Sequence, residues 1–169
     1  MSLMMNEVRI ITTGGTFDKQ YDAIKGELTF THSQLLQILD QSRCTLRVAW
    51  EKPLAVDSLY MTEEQRSTIV NDIKKSPEKR VIVIHGTDTM VKTAIETAHA
   101  LGQDDDHVVV FTGAMIPFAL EKSDASFNLG MAVSAVQLLE TGVYVAMSGR
   151  IFPWNHAIKN KAQGVFEWV

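Results

Sequence analysis

Two segments concentrate the groups of this chain that could do chemistry: Thr13-Gly14-Gly15-Thr16 and His85-Gly86-Thr87-Asp88-Thr89. The two glycines before Thr16 let the backbone turn sharply and bring N–H groups close to a ligand. A hydroxyl on such a turn stands at the carboxyl end of a strand, where open α/β sheets bind small molecules. Asp57-Ser58 adds a third turn with a carboxylate and a hydroxyl. Two threonines, a serine and an aspartate suit nucleophilic attack on a carbonyl, but a threonine hydroxyl is weak until a base takes its proton. His85 ends an apolar run, which favours a packed, hydrogen-bonded imidazole over a catalyst. A lysine whose pKa is lowered by burial is the other kind of base, and Lys92, Lys122, Lys159 and Lys161 are all eligible on sequence alone. Each turn also has a plain structural reading. Thr13–Thr16 can be a tight turn or an anion-binding nest, Asp57-Ser58 a simple turn, and Asp88 a cap for the next helix. Their convergence on one place is what argues for a site.

That convergence depends on the elements between the turns. Val8–Thr12, Thr45–Trp50, Val81–Ile84, Val108–Phe111 and Val143–Met147 are short, β-branched-rich runs. Four are apolar almost throughout, as strands covered on both faces are. Thr45–Trp50 carries Arg47 and alternates, which suits an edge. Four helical patterns lie between them. The first opens on Thr31 with Gln34 at capping-box spacing and the second repeats the device with Thr62 and Gln65. The second also buries Ile69 and Ile73 and ends on Lys74 and Lys75, near the negative helix end. The third spans about 89–101 and stops at Gly102; the fourth spans about 126–140 and stops near Gly142. Alternating β and α units predict an α/β fold: a doubly wound, mostly parallel sheet with helices on both faces. In such a sheet the turns after the first three strands share one edge. The long connection 17–30 reads as a hairpin or a mobile flap over that edge.

Composition narrows the function classes. The chain has 169 residues, 46% hydrophobic and 21% charged, the balance of one globular domain with a sizeable core. Net charge is −4 with no basic stripe, so a nucleic-acid partner has no electrostatic footprint. The apolar runs are too short to span a bilayer. One cysteine, Cys44, makes an internal disulfide impossible and agrees with a cytoplasmic location. Residues 1–5 read as a tag remnant or a disordered start. Asp104-Asp105-Asp106 reads as a solvated turn, not a metal site. Neither a G-x-G-x-x-G nor a Walker-type loop is present.

Thr13-Gly14-Gly15-Thr16-Phe17, Val56-Asp57-Ser58 with Met61-Thr62, His85-Gly86-Thr87-Asp88-Thr89-Met90, Thr112-Gly113-Ala114-Met115 and Ser123-Asp124-Ala125 with Asn128-Leu129 resemble the successive signatures of bacterial-type L-asparaginases. Their order and spacing match the amino-terminal, catalytic domain of that family, a flavodoxin-like or Rossmann-like fold. The resemblance runs from about Val8 to the chain end. It implies an amidohydrolase of small linear amides such as asparagine, working without metal or organic cofactor and releasing ammonia. By position, Thr16 matches the attacking threonine, and Thr87, Asp88 and Lys159 match a Thr-Asp-Lys constellation. Ser58 and Asp88 match residues that hold the substrate's carboxylate and ammonium groups; Gly15, Asp57, Gly86 and Thr87 complete the expected binding set. Tyr21 stands for the tyrosine of the family's flap, although the loop differs here. Family members also carry a smaller carboxy-terminal domain that reaches into a neighbour's site, and this chain ends about where that domain would begin.

Two readings therefore stand. One is an asparaginase-like amidohydrolase with a threonine nucleophile. The alternative is a binding module on the same fold that holds a small amino acid or anion and catalyses little. Phe152, Trp154, Phe166 and Trp168 crowd the last segment. They either fold back onto the sheet or the last helix, or help form the interface of a homodimer or higher homo-oligomer.

Overall fold

The computed structural model describes residues 7–169; the expected tag remnant at 1–5 lies outside them. β1 (Val8–Thr12) leads into a hairpin of β2 (Lys19–Asp22) and β3 (Glu27–Phe30). Then follow α1 (Leu35–Gln41), β4 (Val48–Glu51), α2 (Glu63–Lys75), β5 (Arg80–Ile84), α3 (Met90–Leu101), β6 (Val108–Thr112), α4 (Ala125–Leu138), β7 (Gly142–Met147) and β8 (Arg150–Pro153). A second hairpin, β9 (Ala157–Asn160) and β10 (Val165–Trp168), closes the chain. The main sheet has the order β4-β1-β5-β6-β7-β8, parallel except for β8. As its pattern predicts, β4 is an edge strand.

Alternation along each strand sends its side chains to two cores. Ile82 and Ile84 of β5 join Leu35 and Ile38 of α1 and Leu129, Ala132 and Val136 of α4. Val81 and Val83 face the other way, onto Ile69 and Ile73 of α2 and Met90 and Ala94 of α3. So α1 and α4 cover one face and α2 and α3 the other. The chain leaves β1 for the edge at β4, then returns across β1 to β5. The strand order therefore reverses between β1 and β5, the point at which such sheets open a crevice. From β5 the strands proceed in one direction, yet α3 and α4 cross on opposite faces. The crossovers through α1, α2 and α3 share one hand and β6-α4-β7 has the other. With right-handed connections the near-universal rule, the α4 crossover is the left-handed one.

Local sequence explains most helix ends. Thr62 and Gln65 form the expected capping box of α2, a device worth about 1 kcal/mol. Lys74 and Lys75 occupy its last turn. Gly102 ends α3 at φ 74°. The start of α1 is a correction: Thr31 and Gln34 form no capping box, and the helix begins only after Gln34. Instead the buried Asp18 accepts from the Gln34 N–H and the Ser33 hydroxyl, and Ser33 Oγ accepts from the Leu35 N–H. A tertiary carboxylate does the capping, which no local spacing reveals. Burial raises the Asp18 pKa; the hydrogen bonds from Gln34 and Ser33 offset only part of that. α4 ends at Leu138, before Gly142, which opens β7 instead. Residues 45–47 stand outside β4.

The stretch 17–30 is a hairpin, as one of its two readings held. The last segment adds strands that sequence patterning does not mark. Phe152 and Phe166 fold back into the core, and Trp154 packs against it. Trp168 stacks edge-on against Phe152 but stays half exposed.

Candidate active site

The three hydroxyl-bearing turns do meet at one sheet edge. They follow β1, β4 and β5, and small residues lock them together. A Cβ on Gly15 would stand 2.5 Å from the Gly86 Cα, and one on Gly86 would stand 2.6 Å from the Ser58 side chain. Only residues without a Cβ fit at Gly15 and Gly86, and Gly15 also needs φ 72°. The Gly15 N–H donates to the Val56 carbonyl, and the Val56 N–H to the Thr13 carbonyl.

The two threonines of the first turn differ in kind. Thr13 is buried, and its hydroxyl donates to the Ile84 carbonyl at 2.9 Å, so it ties β1 to β5. Thr16 is partly exposed at the start of a 3₁₀ turn, Thr16–Asp18. Its hydroxyl engages no protein group among the described residues.

Opposite, Lys159 Nζ donates to Thr87 Oγ1 at 2.7 Å and to Asp88 Oδ1 at 2.9 Å. The β9–β10 hairpin carries this lysine, whose side chain is only 12% exposed, so its ammonium is held over the turn after β5. Asp88 is not a helix cap: the residue in the capping position of α3 is Thr89, which makes no capping bond there. Thr89 binds the second turn instead. Its N–H donates to Ser58 Oγ at 3.2 Å and its hydroxyl to the Ser58 carbonyl at 2.9 Å. Ser58 is buried and keeps its own hydroxyl proton to give.

Asp57 caps the 3₁₀ turn Ser58–Tyr60 through the Leu59 N–H. Its other oxygen accepts from Lys19 Nζ at 2.6 Å. Burial acts to raise the Asp57 pKa. The hydrogen bonds from Lys19 and Leu59, with the charges of Lys19 and Lys159, outweigh it and hold the carboxyl below its ordinary value. Sequence reading missed Lys19 because nothing in its spacing to Asp57 is local.

Tyr21 stands apart, 62% exposed on β2 with no hydrogen bond to the cluster among the described residues. Of the four lysines eligible by sequence, Lys159 alone reaches Thr87 and Asp88; Lys92 pairs with Glu63 on the surface, and Lys122 and Lys161 are exposed. Asp105 binds the His107 ring and Asp106 pairs with Lys79 in a turn at the start of β6.

His85 is fully buried and engaged on both sides. Nδ1 faces the Gly86 carbonyl at 2.8 Å, so it carries the proton, and Nε2 takes the Thr93 hydroxyl at 2.8 Å. Burial, partly opposed by the bond to the Gly86 carbonyl and reinforced by Arg66, lowers its pKa to about 4. It is therefore a neutral strut beneath Gly86, out of reach of a ligand. An unfolded histidine titrates near 6.5. Below that pH the unfolded chain binds a proton that the native chain refuses, so stability falls as pH drops from about 6.5 to about 4. The expected loss from this group is on the order of 3 kcal/mol. Urea melts at pH 7.5 and pH 5 check it: His85→Gln should show a clearly smaller difference between the two than wild type.

The remaining signature segments form a support. Asp124 accepts from the N–H groups of Met115 and Ile116 and from Asn128 Nδ2. Asn128 also donates to the Gly113 carbonyl, and Gly113 lies against the His85 carbonyl with no room for a Cβ.

A family model described as "Asparaginase, N-terminal" matches residues 7–166. A glutamyl-tRNA(Gln) amidotransferase subunit from Thermofilum pendens is 30% identical over 152 residues, 85% of this chain and 34% of that protein. Glutaminase-asparaginase from Acinetobacter glutaminasificans is 29% identical over 159 residues, 87% of this chain and 47% of that protein. The thermostable L-asparaginase from Thermococcus kodakarensis superposes with a TM-score of 0.85 at 24% identity, covering 96% of this chain and 51% of that one. A probable cytoplasmic L-asparaginase from Campylobacter jejuni does so at 0.79 with 27% identity, covering 96% and 52%. The chain thus spans half or less of the length of the curated relatives it matches.

Proposed function

The chain belongs to the asparaginase family, and from that premise we propose that it supplies the family's amidohydrolase chemistry, with residues 7–169 as one amino-terminal catalytic domain. The observation that carries the reading is the Lys159–Thr87–Asp88 contact, held beside the Thr16 turn by the fit of Gly15 on Gly86.

Thr16 Oγ is the nucleophile for a side-chain amide carbonyl. As its bond to the carbonyl carbon forms, its proton passes to Thr87 Oγ1 while Thr87 gives its own proton to Lys159 Nζ, 2.7 Å away, which acts in this step as the free amine. Lys159 returns that proton to the leaving nitrogen, which departs as ammonia, and water then hydrolyses the acyl-threonine ester. N–H groups of the tight turns stabilise the oxyanion. Asp88 fixes Lys159 and balances its charge once it holds the proton. The Asp57-Ser58 turn and Asp88 hold the substrate's carboxylate and ammonium groups. Ser58 suits the first because its hydroxyl proton is uncommitted, and Asp88 the second because Lys159 engages only one of its oxygens. Tyr21, on the hairpin, contributes only when that hairpin moves inward. No metal or organic cofactor enters these steps.

The likeness to a glutaminase-asparaginase and to an amidotransferase subunit makes glutamine a substrate to compare with asparagine. Ammonia release from each by the purified protein, with hydroxylamine added to intercept an acyl-enzyme as the hydroxamate, tests the reading. A protein that binds the amino acid but yields neither ammonia nor hydroxamate would instead be the binding module.

A cytoplasmic site of action fits the single cysteine, and among the described residues no helix is long and apolar enough to cross a membrane. A two-fold homodimer fits the exposed Phe127, Leu138 and Trp168. Light scattering over a dilution series should give twice the monomer mass; a monomeric mass at the highest concentration would exclude the dimer.

A further inference from the structure

The β2–β3 hairpin begins one residue after the turn that carries Thr16, so whatever anchors its root also anchors that turn. Most of the hairpin's body lies open to solvent. Tyr21, Ile24 and Leu28 are exposed, and Ile24 and Lys25 cap the turn through their N–H bonds to Asp22. The root is different. One leg ends where Asp18 receives Ser33 and Gln34. The other leg ends at Lys19, the first residue of β2, which sits opposite Phe30 and holds its ammonium 5.9 Å from that ring. From there Lys19 reaches out of the hairpin altogether, to Asp57 Oδ2 at 2.6 Å. Both side chains are mostly shielded, 20% and 29% exposed, so the pair is screened less than a surface bridge.

This contact spans the crevice. Asp57 heads the turn that holds Ser58, and Lys19 trails the turn that holds Thr16. Gly15 and Gly86 fix the floor of the crevice by steric fit, but they act before Thr16, not after it. On the far side of Thr16, Lys19 supplies the side-chain tie to the second turn. The cluster then reads as an alternating row of charge: Lys19, Asp57, Lys159, Asp88.

We propose that Lys19 is a positioning residue of this site: clamped on Asp57, it sets the Thr16 turn and the hairpin root against the Asp57-Ser58 turn. The proposal rests on the amidohydrolase reading for its kinetic consequence but not for its structural one. Neither group is spent on chemistry. Lys19 acts through Asp57, and its loss frees one edge of the crevice without touching the Thr87–Lys159 pair. Substrate capture then suffers more than the chemical step.

The test is a cycle of Lys19→Met, Asp57→Asn and the double variant, with Lys19→Arg as the conservative replacement. Two readouts are taken on folded protein, checked by circular dichroism. The first is KM and kcat for amide hydrolysis. Each single variant should raise KM about fivefold, with kcat within about twofold. The double variant should be no worse than the worse single, and Lys19→Arg should restore most of the loss. The second readout needs no activity: trypsin cleavage after Lys25, identified by mass, should quicken equally in both singles and no further in the double. Effects that multiply in the double variant would overturn the proposal, as would unchanged KM and unchanged cleavage in Lys19→Met. If wild type releases no ammonia, the cleavage cycle still decides, and the failure then belongs to the amidohydrolase reading alone.

Discussion

Thr16→Val abolishes amide hydrolysis, with kcat/KM falling at least about 10³-fold, while the melting curve barely moves. The substitution is close to isosteric and removes only the hydroxyl. That hydroxyl makes no protein hydrogen bond among the described residues, so the fold loses no partner with it. The contrast with its neighbour sharpens the test. Thr13→Val strips the 2.9 Å bond to the Ile84 carbonyl in a buried position, and its cost should appear as stability, about 1–3 kcal/mol. Steady-state ammonia release and urea melts on both variants separate the two roles. Activity near wild type in Thr16→Val would remove Thr16 as nucleophile.

Lys159→Met is the second large effect. It keeps the unbranched stem of the side chain and deletes the amino group that contacts Thr87 and Asp88. The expected fall in kcat is about 10²–10⁴-fold, the usual range for a lost proton-transfer group. KM should also rise, because Asp88 loses its fixed partner. Lys159→Arg should not rescue: a guanidinium stays protonated and cannot cycle a proton. If Lys159→Arg keeps most of the activity, the lysine serves as a charge and not in proton transfer.

How much of this was legible beforehand differs by element. Strand positions were readable because fully covered strands are apolar on both faces, as β5 and β6 are. The capping box of α2 was readable because its partners lie three residues apart. The same spacing misled at Thr31, where Asp18 takes over from another part of the chain. Thr16, Ser58, Thr87 and Asp88 could be placed on one edge from strand polarity alone. Lys159 could be named only by resemblance, since the β9–β10 hairpin that lifts it has no strong period. Lys19 and the left-handed crossover escaped altogether, because both depend on which segments become neighbours in space.

The fit of Gly15 on Gly86 and of Gly86 on Ser58 has a kinetic consequence. The Gly15–Gly86 contact needs β1 and β5 in register and the Gly86–Ser58 contact needs β4 as well, and each joins segments distant in the chain. Such pairings bring their reward only after the loops between them have closed. The crevice is therefore expected to assemble late, on the native side of the folding barrier. Changes confined to it, such as Gly86→Ala, should leave the refolding rate nearly unchanged and speed unfolding. On that expectation the turns that bear the reactive groups set after the sheet and loosen before it.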